Sequence, residues 1–330
     1  MIIHRYVFIA CVFMGLWGCS SNEQRVKKEL EFATQQVNNG ITQLKQHLQA
    51  GRVRNAKLLK VYADSIKKNH PEYREIANLL AQDATVSGPI ISALEQRLND
   101  AKKQIPNAVR FPDKTRQLGQ ELNAIHAAAD IQNFNLALTD PINVLADMSG
   151  GKLSRLSTAG TSADTSITAP VGSELIGNPN YGQWQTNSSG DTFWEWYGKY
   201  ALISSLFDLA SSGSFSGWSS NRRNSYYHDY GRDYYSSPSQ KSNYQQAETR
   251  VKKQFSQQGK KFESPYARSK STINSGKKDS VFKTPNKFKS SFSNSSKYAN
   301  QPGKVQGQSN SAYNYRSKKT NSRSFGFGGK

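Results

Sequence analysis

The feature that most restricts the fold is the regular spacing of apolar residues between residues 22 and 150. A first series recurs at intervals of three and four residues, which is the spacing of one face of an α-helix. Its members are Val26, Leu30, Ala33, Val37, Ile41, Leu44 and Leu48. This spacing predicts a helix of about 27 residues that ends near Gly51. The series is nearly heptad, so the helix packs either within its own domain or in a coiled coil, and the oligomeric state stays open.

Shorter apolar series predict further helices as far as residue 148. They cover residues 58–66, 73–80, 91–105 and 118–129. His70-Pro71 ends one of them, and Pro106 and Pro112 bracket a loop. Asp140-Pro141 is typical of an N-cap and a first-turn proline, which predicts a last short helix through Met148. Because β signals are nearly absent, we expect an all-α fold over residues 22–150, either an antiparallel bundle or elongated coiled-coil-like helices.

The middle of the chain changes character twice. Residues 151–191 are rich in Gly, Ser, Thr, Ala and Asn, which predicts a flexible linker. Thr192 and Glu195 then fit a capping box at the start of a predicted aromatic amphipathic helix over residues 192–210. Its large residues are Phe193, Trp194, Trp196, Tyr200, Ile203 and Phe207. A helix that is apolar nearly all round has to be buried away from water. We therefore expect it to dock on the helical domain or a partner groove, or to lie in a membrane interface.

Composition sets the last third of the chain apart. Hydrophobic residues make up 35% of the whole sequence, and the formal net charge is +20. Residues 221–330 hold 23 Lys and Arg but only 5 Asp and Glu. Since aliphatic residues are also scarce there, we expect residues 211–330 to form a disordered basic tail, with one short helix over residues 244–258.

Basic and aromatic residues alternate in this tail, and that combination binds anionic groups and stacks on bases or sugars. The candidate residues are Arg222, Arg223, Arg232, Lys260, Lys261, Lys287 and Lys289. The expected partners are acidic polysaccharide, anionic lipid or extracellular DNA, and a solvated tail without a partner is the alternative. No intracellular nucleic acid is expected, because the N-terminus predicts export.

The N-terminus has the pattern of an export signal. Arg5 precedes an apolar run of 11 residues, Tyr6 to Leu16, which is too short to span a bilayer. Leu16-Trp17-Gly18-Cys19 follows and resembles the lipobox of bacterial lipoproteins. The resemblance implies that residues 1–18 are a signal peptide recognised through Leu16 and Gly18. It also implies that residues 19–21 form the mature N-terminus, with acyl chains such as palmitate on Cys19.

We expect this anchor to place the chain in the cell envelope, and in the outer membrane if the organism is Gram-negative, since Ser20 follows Cys19. Membrane lipid is then one partner, and an envelope protein is a further candidate. The sequence contains no phosphate loop, no Gly-x-Ser-x-Gly elbow and no His-Glu-x-x-His pair. His47, His70 and His126 are isolated, so we predict neither metal nor cofactor. The sequence therefore favours a non-catalytic structural or docking role, with an envelope hydrolase as the weaker alternative.

Overall fold

The computed structural model describes residues 3–157, 169–207 and 213–266, with side chains from Asn22 onward except that of residue 221. Seven helices occupy the first of these ranges. They are α1 (Ile3–Gln49), α2 (Arg54–Asn69), α3 (Arg74–Ala81), α4 (Pro89–Ala108), α5 (Pro112–Ala128), α6 (Ile131–Ala137) and α7 (Thr139–Met148). The all-α prediction for this half of the chain is confirmed.

The predicted apolar stripe of α1 lies in the core. Leu30, Val37, Ile41, Leu44 and Leu48 are each at most 7% exposed. They pack on α4 and α5 of the same chain, which form a hairpin around a three-residue connection. The backbone after α1 turns at a glycine with φ of 62°, at residue 51, as the sequence predicted.

Pro106 does not end α4, contrary to the expectation of a loop between Pro106 and Pro112. The helix continues to Ala108, because Ile105 and Ala108 are buried and hold the last turn in the core. The carbonyl of Ala108 accepts the N–H of Phe111 at 3.1 Å and the Thr115 hydroxyl at 2.7 Å, so the connection and the next helix satisfy this helix end.

The second half of the chain contributes smaller elements. These are β1 (Gly182–Thr186), β2 (Thr192–Trp196), α8 (Ala201–Leu206), α9 (Phe215–Asn221), a π-helix (Tyr227–Gly231), α10 (Arg232–Tyr235) and α11 (Pro238–Gln257). Helix α10 packs on α5, and α11 packs on α9 and on both strands. The serine before α11, Ser237, forms a capping box with Gln240.

The aromatic helix predicted over residues 192–210 is wrong for its first turns. Thr192–Trp196 is a strand that pairs antiparallel with β1, with Trp184 opposite Trp194. Side chains alternate between the two faces of the strand, since Trp194 is 4% exposed and Phe193 is 37% exposed. Glu195 is no capping residue, because its carboxylate accepts the side-chain amides of Gln183 and Gln185 across the strands.

The boundaries of the linker and of the disordered tail also need correction. Residues 169–191, assigned to the linker, contain buried side chains such as Leu175 and Tyr181 together with strand β1. Residues 213–266, assigned to the tail, form ordered helices, and α11 is longer than the predicted helix over residues 244–258. Residues 158–168 and 267–330 lie outside the described residues.

Aromatic rings supply the core that aliphatic residues do not. Trp184 lies 5.2 Å from Trp194 and 5.4 Å from Trp218, measured between ring centroids. Trp218 in turn lies 5.0 Å from His228, and Phe215 lies 4.9 Å from Trp184. Large aromatic side chains bury more area than aliphatic ones, so a few of them are enough to form the core in this part of the chain.

Buried carboxylates join the two halves of the chain. The sequence predicted that Asp140 caps its own helix, and this is wrong. Its carboxylate accepts the Ser225 hydroxyl at 2.8 Å and the N–H groups of Tyr226 and Tyr227 at 2.7 and 3.0 Å. Asp83 accepts the Tyr181 hydroxyl at 2.7 Å. The halves therefore share one polar and apolar core.

Candidate functional site

A groove of about 1240 Å³ runs between the α4–α5 hairpin and the second half of the chain. Helices α4 and α5 form one wall, and the residues around Asn180, Tyr197 and the start of α11 form the other. The polar groups that line it are Ser92, Gln96, Arg97, Asp100, Gln104, Asn107, Lys114, Gln117, Gln120, Glu121, Asn180, Tyr197, Ser237, Ser239, Gln240 and Lys241.

The helical wall carries regular rows of polar side chains. On α4 the row is Gln96, Asp100, Gln104 and Asn107, at intervals of four, four and three residues. On α5 it is Lys114, Gln117 and Gln120, at intervals of three. Such spacing keeps each row on one helix face. All seven side chains are exposed to solvent.

Four glutamines of these rows have no hydrogen-bond partner for their side chains among the described residues. They are Gln96, Gln104, Gln117 and Gln120, and none takes part in an ion pair or side-chain hydrogen bond of the fold. Asn107 differs, because its side-chain oxygen accepts Lys114 Nζ at 3.3 Å. An amide both donates and accepts, so the groove offers both kinds of group to a ligand.

A buried ion pair forms the floor of the groove. Arg97 Nε donates to Glu121 Oε1 at 2.7 Å, and the side chains are 8% and 9% exposed. Arg97 Nη1 donates to the carbonyl of Tyr234 at 2.6 Å, which ties α4 to the second half of the chain. Arg97 Nη2 is buried without a partner in the described residues.

The rim carries an exposed aromatic ring. Tyr197 is 38% exposed, and its backbone N–H donates to the carbonyl of Tyr181 at 2.9 Å, which fixes its position. Partial burial of the ring raises the pKa of the Tyr197 hydroxyl, so this group is neutral at physiological pH.

The charge of the groove differs from that of the chain. Arg97, Lys114 and Lys241 are its positive residues, and Asp100 and Glu121 are its negative ones, which leaves a formal charge of +1. The whole chain carries +20. The groove is thus nearly neutral on a strongly basic protein.

Three arginines that the sequence assigned to polyanion binding belong to the fold. Arg222 pairs with Asp229 at 2.7 Å and is 8% exposed. Arg223 pairs with Asp147 at 2.6 Å, and the guanidinium of Arg232 lies 3.9 Å from the ring centroid of Tyr266. Each of the three side chains therefore makes an internal contact, and their assignment to a polyanion surface stays a prediction.

The remaining predicted residues are spread over several places. Lys260 and Lys261 are exposed, whereas Lys287 and Lys289 lie outside the described residues. Trp194, Tyr200 and Ile203 are buried, and Trp196 and Phe207 are partly buried against the core. Leu16, Gly18 and Cys19 belong to the N-terminal part of α1, and their side chains are outside the description.

Comparison with protein-family models, curated proteins and solved structures gave no match. In the described ranges no helix is both long and apolar enough to cross a bilayer. Nor do three or more His, Cys, Asp or Glu side chains cluster as metal ligands in that part of the chain.

Sequence reasoning missed the groove and the buried acids. A row of glutamines opposite the apolar face of α4 is normally a solvated surface, and only the packing of Tyr197 and α11 beside it makes a groove. Burial raises the pKa of Asp83 and of Asp140 to about 7 each. Both carboxyls are at most 1% exposed and lie outside the groove, so they act within the fold.

Proposed function

We propose that this protein is exported and held on a bacterial envelope membrane by acyl chains on Cys19, and that its folded body has a non-catalytic structural or docking role. The observation that carries the proposal is the lipobox-like sequence Leu16-Trp17-Gly18-Cys19, directly after an apolar run of 11 residues. Each buried CH₂ group contributes about 0.8 kcal/mol, so two or more acyl chains give stable anchoring where one is marginal.

The described part of α1 supports this arrangement. Asn22, Glu23, Gln24 and Arg25 are exposed, and Leu30 is the first residue of the helix that is fully buried in the described part. Eleven helical residues from Cys19 to Leu30 span about 16 Å. A polar helical segment thus lies between the proposed attachment residue and the core.

The carboxylates of the groove support a non-catalytic role. Acid–base hydrolysis of a glycosidic bond generally uses two available carboxyl groups on either side of the bond. Glu121 is held by Arg97, and Asp100 accepts Lys103 Nζ at 3.3 Å. The groove therefore presents amides to a ligand rather than a pair of free carboxyl groups.

Mass spectrometry of the mature N-terminus tests the anchor. We expect the chain to begin at Cys19 and to carry acyl chains, and we expect a Cys19→Ser variant to keep its signal peptide and lose the acyl mass. Cys11→Ser is the matched control, because Cys11 lies within the apolar run, and it should be processed like the parent. An unmodified Met1 in the parent protein, or acylation that survives Cys19→Ser, would contradict the proposal.

A second candidate function is polyanion binding by the C-terminal residues. Residues 267–330 hold 14 Lys and Arg and one acidic residue, Asp279. Retention on a heparin column should then fall steeply with salt, because each phosphate or sulfate contact releases a counterion. A chain that ends at Tyr266 should lose this retention and keep its fold. Equal retention with and without residues 267–330 would remove this candidate.

A further inference from the structure

We infer that the groove between the α4–α5 hairpin and Tyr197 binds an uncharged glycan chain. The groove combines four glutamine amides that have no partner in the described residues, an exposed aromatic ring and almost no net charge. This inference goes beyond the anchor at Cys19 and does not rest on it.

Charge selects against the anionic ligands that the rest of the chain suggests. A polyanion gains affinity from several unpaired cations in one place. In the groove, Arg97 is paired with Glu121, and Lys241 lies 3.7 Å from Asp233, so Lys114 is the principal remaining cation of its lining. A neutral ligand therefore fits the groove best.

The amide rows match the chemistry of sugars. Hydroxyl groups of a glycan both donate and accept hydrogen bonds, as glutamine amides do. The α4 row from Gln96 to Asn107 extends over about 16 Å, which suits several consecutive sugar units rather than one.

The apolar part of the groove favours a sugar ring over a peptide. The C–H groups on one face of a pyranose ring pack flat against an aromatic ring, and Tyr197 offers such a surface at the rim. A bound peptide needs deeper pockets for its alternate side chains. The apolar lining here consists mainly of small or flat residues such as Ala93, Pro179 and Pro238.

Isothermal titration calorimetry on the full-length chain tests the inference. The protein is kept in a polyoxyethylene detergent, because maltoside and glucoside detergents are themselves sugars. The probes are chitohexaose and cellohexaose, which are neutral glycans with and without acetamido groups, and a hyaluronan hexasaccharide as the anionic counterpart. We expect at least one neutral glycan to bind more tightly than hyaluronan.

Variants locate the binding. The pair Gln104→Ala and Gln117→Ala, and separately Tyr197→Ala, should each weaken binding by about tenfold. Tyr197→Phe keeps the ring and should stay within about twofold of the parent. Gln43→Ala is the matched amide control, because Gln43 is exposed on α1 outside the groove. Thermal unfolding of each variant checks that the fold is intact.

Several results would overturn the inference. These are no heat from either neutral glycan, equal affinity in the parent and the groove variants, or binding of an extended peptide pool in place of the glycans. Binding of hyaluronan alone, lost on removal of residues 267–330, would assign the activity to the C-terminal residues. A chain that binds glycan without acyl chains would contradict the anchor only, and an acylated chain that binds none would contradict the groove only.

Discussion

The carboxylate of Asp140, in the second residue of α7, accepts the backbone N–H of Tyr226 at 2.7 Å. The same carboxylate accepts Ser225 Oγ and the N–H of Tyr227, where the π-helix begins. A helix start is normally capped by the residue just before it. Here a residue from the first half of the chain caps a helix of the second half, so the two cannot separate without exposing unpaired donors.

Removal of this carboxylate should destabilise the protein strongly. Asp140→Ala leaves three buried donors without an acceptor, and we expect a loss of about 2–4 kcal/mol in the free energy of unfolding, measured with urea. Asp140→Asn keeps one acceptor oxygen and should lose less. Asp233→Ala is the matched control, because Asp233 has an 80% exposed side chain 3.7 Å from Lys241, and its loss should be below about 0.5 kcal/mol. A loss in Asp140→Ala as small as in the control would contradict this role.

Asp83 should make the stability depend on pH near neutrality. Burial raises its pKa from 3.8 to about 7, partly offset by the Tyr181 hydroxyl and by Lys199. A raised pKa means that the stabilising contribution is fully present below the unfolded value and is lost as the pH rises through about 7. The free energy of unfolding should therefore be higher at pH 5.5 than at pH 8.

Asp83→Asn isolates this effect. The amide oxygen keeps the bond from the Tyr181 hydroxyl but does not titrate, so the variant should lose about 2 kcal/mol of the stability difference between pH 5.5 and pH 8. The variant should keep the pH dependence of stability that comes from Asp140, because the pKa of Asp140 is also raised to about 7. Urea unfolding at several pH values measures both proteins. The same pH dependence in parent and variant would show that Asp83 does not titrate in this range.

The ion pair below the groove should be sensitive to the loss of one partner. Glu121→Leu leaves the Arg97 guanidinium buried without its counterion, and we expect a loss of about 3–5 kcal/mol. The double variant with Arg97→Met should recover most of this loss, because it buries no charge. Arg116→Met serves as control, since the Arg116–Asp113 pair is exposed and should contribute below about 0.5 kcal/mol. A double variant as unstable as Glu121→Leu alone would refute the explanation.

Two glycines should respond to alanine in opposite directions. A Cβ at Gly182 would lie 2.3 Å from the Glu195 carbonyl oxygen and 2.8 Å from the Trp194 ring. Gly182→Ala should therefore destabilise the hairpin by about 1–3 kcal/mol. A Cβ at Gly119, within α5, would meet no described atom within 4 Å, and Gly119→Ala should stabilise by about 0.5–1 kcal/mol. Thermal unfolding of both variants measures the direction of each change in Tm, and a shift in the same direction in both would contradict these two steric expectations.

Sequence predicted the first seven helices well, apart from α6, because burial of a long helix leaves a regular apolar spacing. The stripe of α1 and the stops at Gly51 and His70-Pro71 were local signals that the packing confirmed. Asp140 shows the limit of such signals. An aspartate before a proline has the same pattern whether it caps its own helix or a distant one.

The second half of the chain was poorly predicted for a physical reason. The aromatic spacing that includes Trp196 and Tyr200 fits a helix. Residues 192–196 nevertheless form a strand, in which Trp194 pairs with Trp184 of strand β1, and Trp184 had been assigned to the linker. Counts of aliphatic residues also missed a core made of Trp and Tyr rings. The groove has walls that are distant in the chain, so no local pattern could indicate it.

The internal ion pairs of Arg222 and Arg223 decide where this protein can be shortened. A stop codon after Ser220 would remove the three donors of Asp140 and one of the two cations of Asp147, which would keep only Arg155. The seven N-terminal helices are thus no independent domain. We expect residues 22–266 to melt in one cooperative transition, and proteolysis within residues 221–266 to unfold the whole body rather than trim an appendage.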